Sequence, residues 1–420
     1  MISYHFTINR GWLGDPNGLI YYNGMYHMFY QLEPKHNTFT PNMHWGHANS
    51  KDLINWVNLP IALSPDNLGA IWSGSSVVDR SNTSGFGENS LICIYTSAGG
   101  ETYESSDEKF TISLAYSTDG VTFNKYQNNP IVGNIARGNR DPKVFWYHDK
   151  WIMIMFLNNN LGFQFLHSSD LLDWTKLCTV YIEGISDCPD IMHLVNDKFL
   201  FFGTNGKYVV GTFDGNKFII ESVRSTRSTC DLATRSVLHQ FAYGETYSSQ
   251  TWSNEPNNKH IMIFRLGDME NSNHISQMSI PLQLSYDDKL VVEPLQSIID
   301  DFTKNSVSVY LSDVFIESKQ ITLNTCQFYL DIHLQNIDSL SIIELIDGII
   351  TYDKNTFSYN TFDFSLCDNE ITLQIVSDLN SIEIFVNKEK YIGCFQYGNA
   401  YESIKFNNVH IKKLLLYQSL

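Results

Sequence analysis

Three short segments in the first half of the chain combine residue types that could do chemistry: Trp12-Leu13-Gly14-Asp15-Pro16-Asn17-Gly18, Arg140-Asp141-Pro142-Lys143 and Asp187-Cys188-Pro189-Asp190. Each sets a proline beside an acid. Proline fixes φ and removes a backbone donor, so a neighbouring carboxylate is held at a stiff strand end instead of trailing in solvent. Carboxylates held in this way, if brought together, suit cleavage of a glycosidic bond with retention. An ionised one attacks the anomeric carbon, and a protonated one about 5–5.5 Å away hands its proton to the leaving oxygen. A third, bonded to sugar hydroxyls, stabilises the oxocarbenium-like transition state. Taken singly, each motif is equally an ordinary turn, so only their convergence would make a site.

Convergence needs a scaffold, and 420 residues suffice for two domains. Short alternating or β-rich runs separated by tight-turn signals dominate, and long segments of helical period are missing, which predicts an all-β chain. Hairpins are expected over 19–31 around Asn23-Gly24, 143–156 near His148-Asp149, 190–203 on Asn196-Asp197 and 208–219 around Asp214-Gly215. A repeat of the form Ser/Thr-x-Asp-x-x-x-aromatic occurs at Ser50-Asp52-Trp56, Ser117-Asp119-Phe123, Ser168-Asp170-Trp174 and Thr212-Asp214-Phe218, with a fainter echo at Ser285-Tyr286-Asp287. Successive copies lie 67, 51 and 44 residues apart, close to the length of a four-stranded propeller blade. Residues 1–297 therefore read as a five-bladed β-propeller, in which strand ends of different blades meet at the axial channel. A polar connector near 294–305 leads into spaced strands that lack the repeat, read as a β-sandwich over 305–420.

Composition narrows the partners. With 45 acidic residues against 28 Lys and Arg the net charge is −17, a field that repels nucleic acid and anionic membrane and suits a neutral ligand. The 8 Trp, 23 Tyr and 26 Phe could stack on sugar faces but serve a core equally well. Seven scattered cysteines without CxxC spacing argue against a disulfide framework and against zinc. His27, His44 and His47 alternate along strand-like stretches and read as packing or hydrogen-bonding groups, so neither metal nor other cofactor is expected. Neither a leader-like N-terminus nor a run of membrane-spanning length is visible, and a cytoplasmic protein is the expectation.

Ordered along the chain, Trp12…Asp15-Pro16-Asn17-Gly18-Leu19, Tyr26-His27-Met28-Phe29-Tyr30-Gln31, His44-Trp45-Gly46-His47-Ala48, Asp52-Leu53…Trp56, Trp72-Ser73-Gly74-Ser75, Arg140-Asp141-Pro142 and Cys188-Pro189-Asp190 resemble glycoside hydrolase family 32, the invertases, fructanases and sucrose-6-phosphate hydrolases. The resemblance implies a β-fructofuranosidase, monomeric or homodimeric, that cleaves sucrose, its phosphate or short fructans through a fructosyl-enzyme intermediate. It implies Asp15 as nucleophile, Asp187 as general acid/base and Asp141 as transition-state stabiliser beside Arg140. Gln31, Trp45, Trp72 and Ser73 match positions lining the fructose subsite, as does Arg140.

Some positions depart from the family pattern. Asp187 stands where Glu is usual, Gly14 where Asn is, Ala242 where an acid is and Arg265 where Trp is common, while Pro281-Leu282 lacks the usual Arg. The later changes are expected near the leaving group. Glu183 and Glu245 are fallback acids, each more readily a solvated loop charge. A fructosyl-transferring or fructan-cyclising enzyme, a sugar-binding propeller weakened by Asp187 and Gly14, and the arabinan- and xylan-cleaving propellers are the competing readings. The Asp-Pro-Asn-Gly opening and the C-terminal sandwich disfavour the last. Asp378 resembles a sandwich-loop position and reads as a turn residue.

Overall fold

The computed structural model describes residues 4–419 apart from 196, 224–234, 237, 268–276, 305, 336–339, 346–347, 354–355, 367–369, 379–380 and 396–402. Asn196, Cys230 and Cys367 thus lie outside the described residues. The chain divides into two compact units, one made of 6–240 and 247–278, the other of 1–5, 241–246 and 279–420.

The larger unit carries the first four blades. Strands Trp12–Tyr22, Met25–Glu33, His44–Ser50 and Trp56–Leu63 form the first, an antiparallel meander, and Ala70–Asp79, Ser90–Ala98, Thr111–Ser117 and Asn124–Lys125 the second. The third is Arg140–Tyr147, Lys150–Asn158, Gly162–Ser168 and Thr175–Val180; the fourth is Asp190–His193, Lys198–Phe202, Lys207–Phe213 and Phe218–Ile220, extended by His239–Gln240. The fifth sheet runs in the order Thr246–Thr251, His260–Leu266, Leu282–Asp287 and Lys289–Pro294. The fold is thus a five-bladed β-propeller with a C-terminal sandwich-like sheet.

The repeat seen in the sequence is the turn between the third and fourth strands of a blade. In the first blade Ser50 Oγ donates to Asp52 Oδ1 at 3.0 Å, and the same carboxylate oxygen accepts the backbone N–H groups of Ile54 and Asn55. Asp119, Asp170 and Asp214 cap their turns in the same way. A short side-chain acceptor two residues before the reversal replaces the ladder bonds that the turn breaks. These hydrogen bonds hold all four carboxyls below their ordinary range. The fainter copy at Ser285-Tyr286-Asp287 ends the third strand of the fifth sheet.

Exposure rises from axis to rim. The innermost strand Ala70–Asp79 is buried at eight of its ten positions, whereas the rim strand Trp56–Leu63 is buried only at Leu63. Between blades, side chains from adjacent sheets interdigitate: Ile154, Phe156, Phe163 and Phe165 of the third meet Phe199 and Phe201 of the fourth. Such close packing between twisted sheets fixes how far the innermost strands stand from the axis.

The smaller unit contains a hydrogen-bonded sheet of eleven strands wrapped almost closed around a core that includes Phe328, Leu330, Ile375, Ile384, Phe406 and Leu414. Two 17-residue strands, Ser306–Thr322 and Ser403–Ser419, pair along their whole length. Ala242–Gly244 joins the sheet edge as a parallel strand. Gly244, at φ +88°, is required there, because a Cβ would fall 2.2 Å from the Gly393 carbonyl oxygen. The connector expected as polar chain contains a helix, Gln296–Lys304, which buries Ile298, Ile299 and Phe302. At nine residues it is too short for its period to stand out in the sequence.

Candidate active site

The three acidic motifs lie at the same end of the innermost strands of the first, third and fourth blades, and the first two of these strands are irregular at the residue of interest. Pairing of Trp12–Tyr22 with its neighbour shifts register between Leu13 and Pro16, around Asp15. Ala70–Asp79 shifts between Trp72 and Gly74, around Ser73. In the third blade the ladder slips between the partners of Lys143 and Arg140, which releases Asp141 and Pro142. Bulges re-aim side chains that a regular ladder would tie to alternating faces, and the prolines lack the N–H needed to close these gaps. Asp141, Asp187, Cys188 and Ser248 all have positive φ, at 59°, 52°, 39° and 45°. For Cys and Ser this conformation is uncommon, and such strain concentrates at functional sites.

Asp15 Oδ2 accepts a hydrogen bond from Ser73 Oγ at 3.3 Å, and that hydroxyl accepts from Gln31 Nε2 at 3.1 Å. Asp141 is 6% exposed. Its Oδ2 accepts from the Cys188 backbone N–H at 3.2 Å, and its own N–H donates to Thr96 Oγ1 at 2.9 Å. Arg140 bridges the other two acids, with Nε 3.5 Å from Asp141 Oδ2 and Nη2 2.6 Å from Asp187 Oδ1, while its guanidinium stands 4.8 Å over the Phe156 ring. Cys188 is the junction. Its Sγ lies 3.7 Å from Asp141 Oδ2 and accepts from Ser248 Oγ at 3.3 Å.

Electrostatics report the same convergence. Burial pushes the Asp15 carboxyl up, Arg265 opposes this, and Asp187 adds to it. Asp141 is driven well above the carboxylate range by burial first and then by the neighbouring charge of Asp187. Burial also raises the Cys188 thiol well above its usual value, helped by Asp141, Asp15 and Asp187 together. Asp141 therefore holds its proton to a higher pH than an isolated carboxyl does.

The residues expected to bind sugar divide. Ser73 reaches Asp15 and Gln31 backs Ser73, Arg140 reaches both other acids, and Trp72 is half-buried, edge-on to Phe110 at 5.1 Å. Trp72 and Arg140 also line an adjoining cleft of about 790 Å³ with Phe110, Glu101, Lys109 and Arg137. Trp45 is placed differently from the expectation: it has no exposed surface, packs against Phe29 and Tyr95, and its Nε1 donates to the Trp72 carbonyl at 3.0 Å. It supports the backbone of Trp72 and offers no face to a ligand.

Asp190, the last acid of the third motif, is fully buried, 2.7 Å from Lys143 Nζ, and accepts from the Thr251 and Ile191 N–H groups. It ties three innermost strands together. Glu183 is exposed, and Glu245 belongs to the other compact unit. His27 and His47 stack and share a hydrogen bond of 2.9 Å, both pushed down by burial, to about 4 and about 3.

Sequence reasoning overlooked Thr96, Ser248 and Gln250. Gln250 accepts from the Leu19 N–H and donates to the Gly74 carbonyl, linking strands of the first, second and fifth blades. Arg265, one of the departures from the family pattern, lies against the first motif, with Nε 3.6 Å from Asp15 Oδ1.

A family model described as the glycosyl hydrolases family 32 N-terminal domain matches residues 5–294. A levanase of Bacillus subtilis is 39% identical over 244 residues, which is 51% of this chain and 35% of that protein. An invertase of Schizosaccharomyces pombe is 37% identical over 249 residues, 51% of this chain and 42% of that protein. The chain thus spans less than half the length of these two relatives. Among solved structures, exo-inulinase from Aspergillus awamori superposes with a TM-score of 0.83 at 23% identity, covering 100% of this chain and 98% of that one, a likeness of fold. With the model spanning most of the chain and the acidic motifs gathered at one end of the blades, the protein belongs to glycoside hydrolase family 32.

Proposed function

We propose that the chain is a retaining β-fructofuranosidase acting on sucrose, sucrose 6-phosphate or short fructans. The observation that carries this is the meeting of Asp15, Asp141 and Asp187 around Arg140 and Cys188. An Asp15 carboxylate oxygen attacks the anomeric carbon of fructose as the bond from that carbon to the leaving oxygen breaks. Asp187 protonates that oxygen, then takes a proton from the water that displaces Asp15 and frees fructose. Fructose hydroxyls donating to Asp141 favour its ionised form, the one that stabilises the transition state. The names of the levanase and invertase relatives support a fructoside over other sugars.

The test is incubation with sucrose, sucrose 6-phosphate, inulin and levan, with chromatography of the products. Free fructose is expected, and Asp15→Asn should lower its release by on the order of 10⁴-fold or more. Release undiminished in that variant would sink the reading. Five of the cysteines, Cys93, Cys178, Cys188, Cys326 and Cys394, are free thiols, which supports a reducing, cytoplasmic setting; fractionation of the producing cells checks it.

A further inference from the structure

Arg265 lies on the strand His260–Leu266, paired across to Met278, and has no exposed surface. Its Nε is 3.6 Å from Asp15 Oδ1, and its guanidinium carbon stands over the rings of Tyr247 and Trp12, 5.3 and 5.9 Å from their centroids. A guanidinium does not give up its proton under these conditions. A permanent positive charge with no exposed surface therefore faces the Asp15 carboxylate, whose side chain is only 13% exposed, so water screens the pair little.

The other groups facing Asp15 make the consequence clear. From the segment before the fourth blade come Asp187 and the Cys188 thiol, from the fifth blade Tyr247, and behind these Asp141 with Arg140. Burial and Asp187 both favour the protonated form of Asp15. Arg265 is the largest opposing influence, followed by the hydroxyls of Ser73 and Ser248.

The seat of Arg265 depends on Gly14. The Trp12 indole folds across that residue so closely that a Cβ would fall 2.5 and 2.8 Å from two ring carbons and 2.9 Å from Gln31 Cβ. Any side chain at position 14 would push the indole off the guanidinium. Gly14, Trp12 and Arg265 form one arrangement.

We propose that Arg265 is a positioning residue for the nucleophile, keeping Asp15 ionised and oriented, and that Gly14 is required because it lets Trp12 complete the guanidinium's seat. The proposal rests on the reading of Asp15 as nucleophile. Its readout is the acid limb of kcat/KM against pH, measured on whichever fructoside the wild type cleaves. Removing the charge takes away the largest influence lowering the Asp15 pKa, so the ionised form is lost at a higher pH. In Arg265→Met the limb should move up by about one to three pH units, while Arg265→Lys stays near wild type. Gly14→Ala should move it in the same direction by less.

Thermal melts identify variants that fold. Should Arg265→Met fail, Arg265→Trp removes the charge while filling the site with a ring, and Gly14→Ala leaves the arginine in place. An acid limb that stays put in a folded, charge-removed variant overturns the proposal, and so does a uniform loss of activity at every pH. Asp15→Asn separates the two readings: if it is inactive while the limb of Arg265→Met is unmoved, only the role of Arg265 falls. If Asp15→Asn is fully active, the assignment of the nucleophile falls.

Discussion

The molecule holds two buried clusters of carboxylates, one in each compact unit, and they are built to opposite ends. In the smaller unit His5 is wedged between two acids, with Nδ1 2.9 Å from Asp378 Oδ2 and Nε2 2.5 Å from Glu383 Oε1. Every carboxylate oxygen accepts from a further donor: the Tyr4 and Ile280 N–H groups, the Gln327 amide or the Tyr391 hydroxyl. Burial works against the imidazolium, but the hydrogen bonds to Asp378 and Glu383 outweigh it and raise His5 to about 9. In the propeller, Asp141 and Asp187 press on one another, share one bridging arginine, and stand on backbone with positive φ. A saturated cluster fastens an N-terminal segment to a sheet. Acids whose shell is left open have room for a ligand. The difference lies in whether the partners close the shell, since acids are present in both.

The largest effect expected from breaking this contrast is at Asp187. Asp187→Asn removes the transferable proton and should lower kcat on sucrose by about 10²–10⁴-fold. An aryl fructoside, whose leaving group needs no proton, should lose far less. Equal losses on both substrates would count against Asp187 as the acid. Next comes Ser73→Ala, which takes one hydrogen bond from the Asp15 carboxylate. A bond to a charged group contributes about 1.5–3 kcal/mol, so kcat/KM should fall about ten- to a hundredfold with the melting temperature little changed.

The smallest effect on turnover is expected at the saturated cluster. His5→Gln leaves two buried carboxylates without their counter-charge and should cost about 3–5 kcal/mol of stability near neutral pH, read by denaturant melts. Activity of the folded fraction should be unchanged. The sign with pH follows from His5 being raised from 6.5 to about 9. Its contribution is complete below the unfolded value and is lost as pH rises through the folded one. The wild type should therefore weaken relative to His5→Gln as the pH climbs from neutral to about 9. A constant gap between the two would show that His5 carries no charge in the folded protein.

Much of the site was legible before any coordinates. Asp15 and Asp141 announce themselves through the prolines that follow them, and Asp187 through its place in the third motif. The bulges at Asp15 and Asp141 lie where those prolines interrupt pairing. The blades were visible through Asp52, Asp119, Asp170 and Asp214, because a turn capped by its own side chain is a local device with a local signature. The helix over Gln296–Lys304 left no such mark, and Trp45 read as a wall residue because an indole serves a pocket or a core with equal ease.

What the amino-acid order determined by itself was therefore mostly what is encoded within about seven residues: turn caps, hairpins and stiffened acids, with the blades read from the recurrence of one such turn. Which acids meet, that Cys188 sits among three carboxylates, that Asp190 is neutralised by Lys143 while Asp141 is left against Asp187, and that Arg265 reaches Asp15 from a strand 250 positions away in the chain were decided only by closure of the ring. The reason is physical. A side chain's charge and pKa depend on what lies within a few ångströms of it, and in a propeller those neighbours come from other blades.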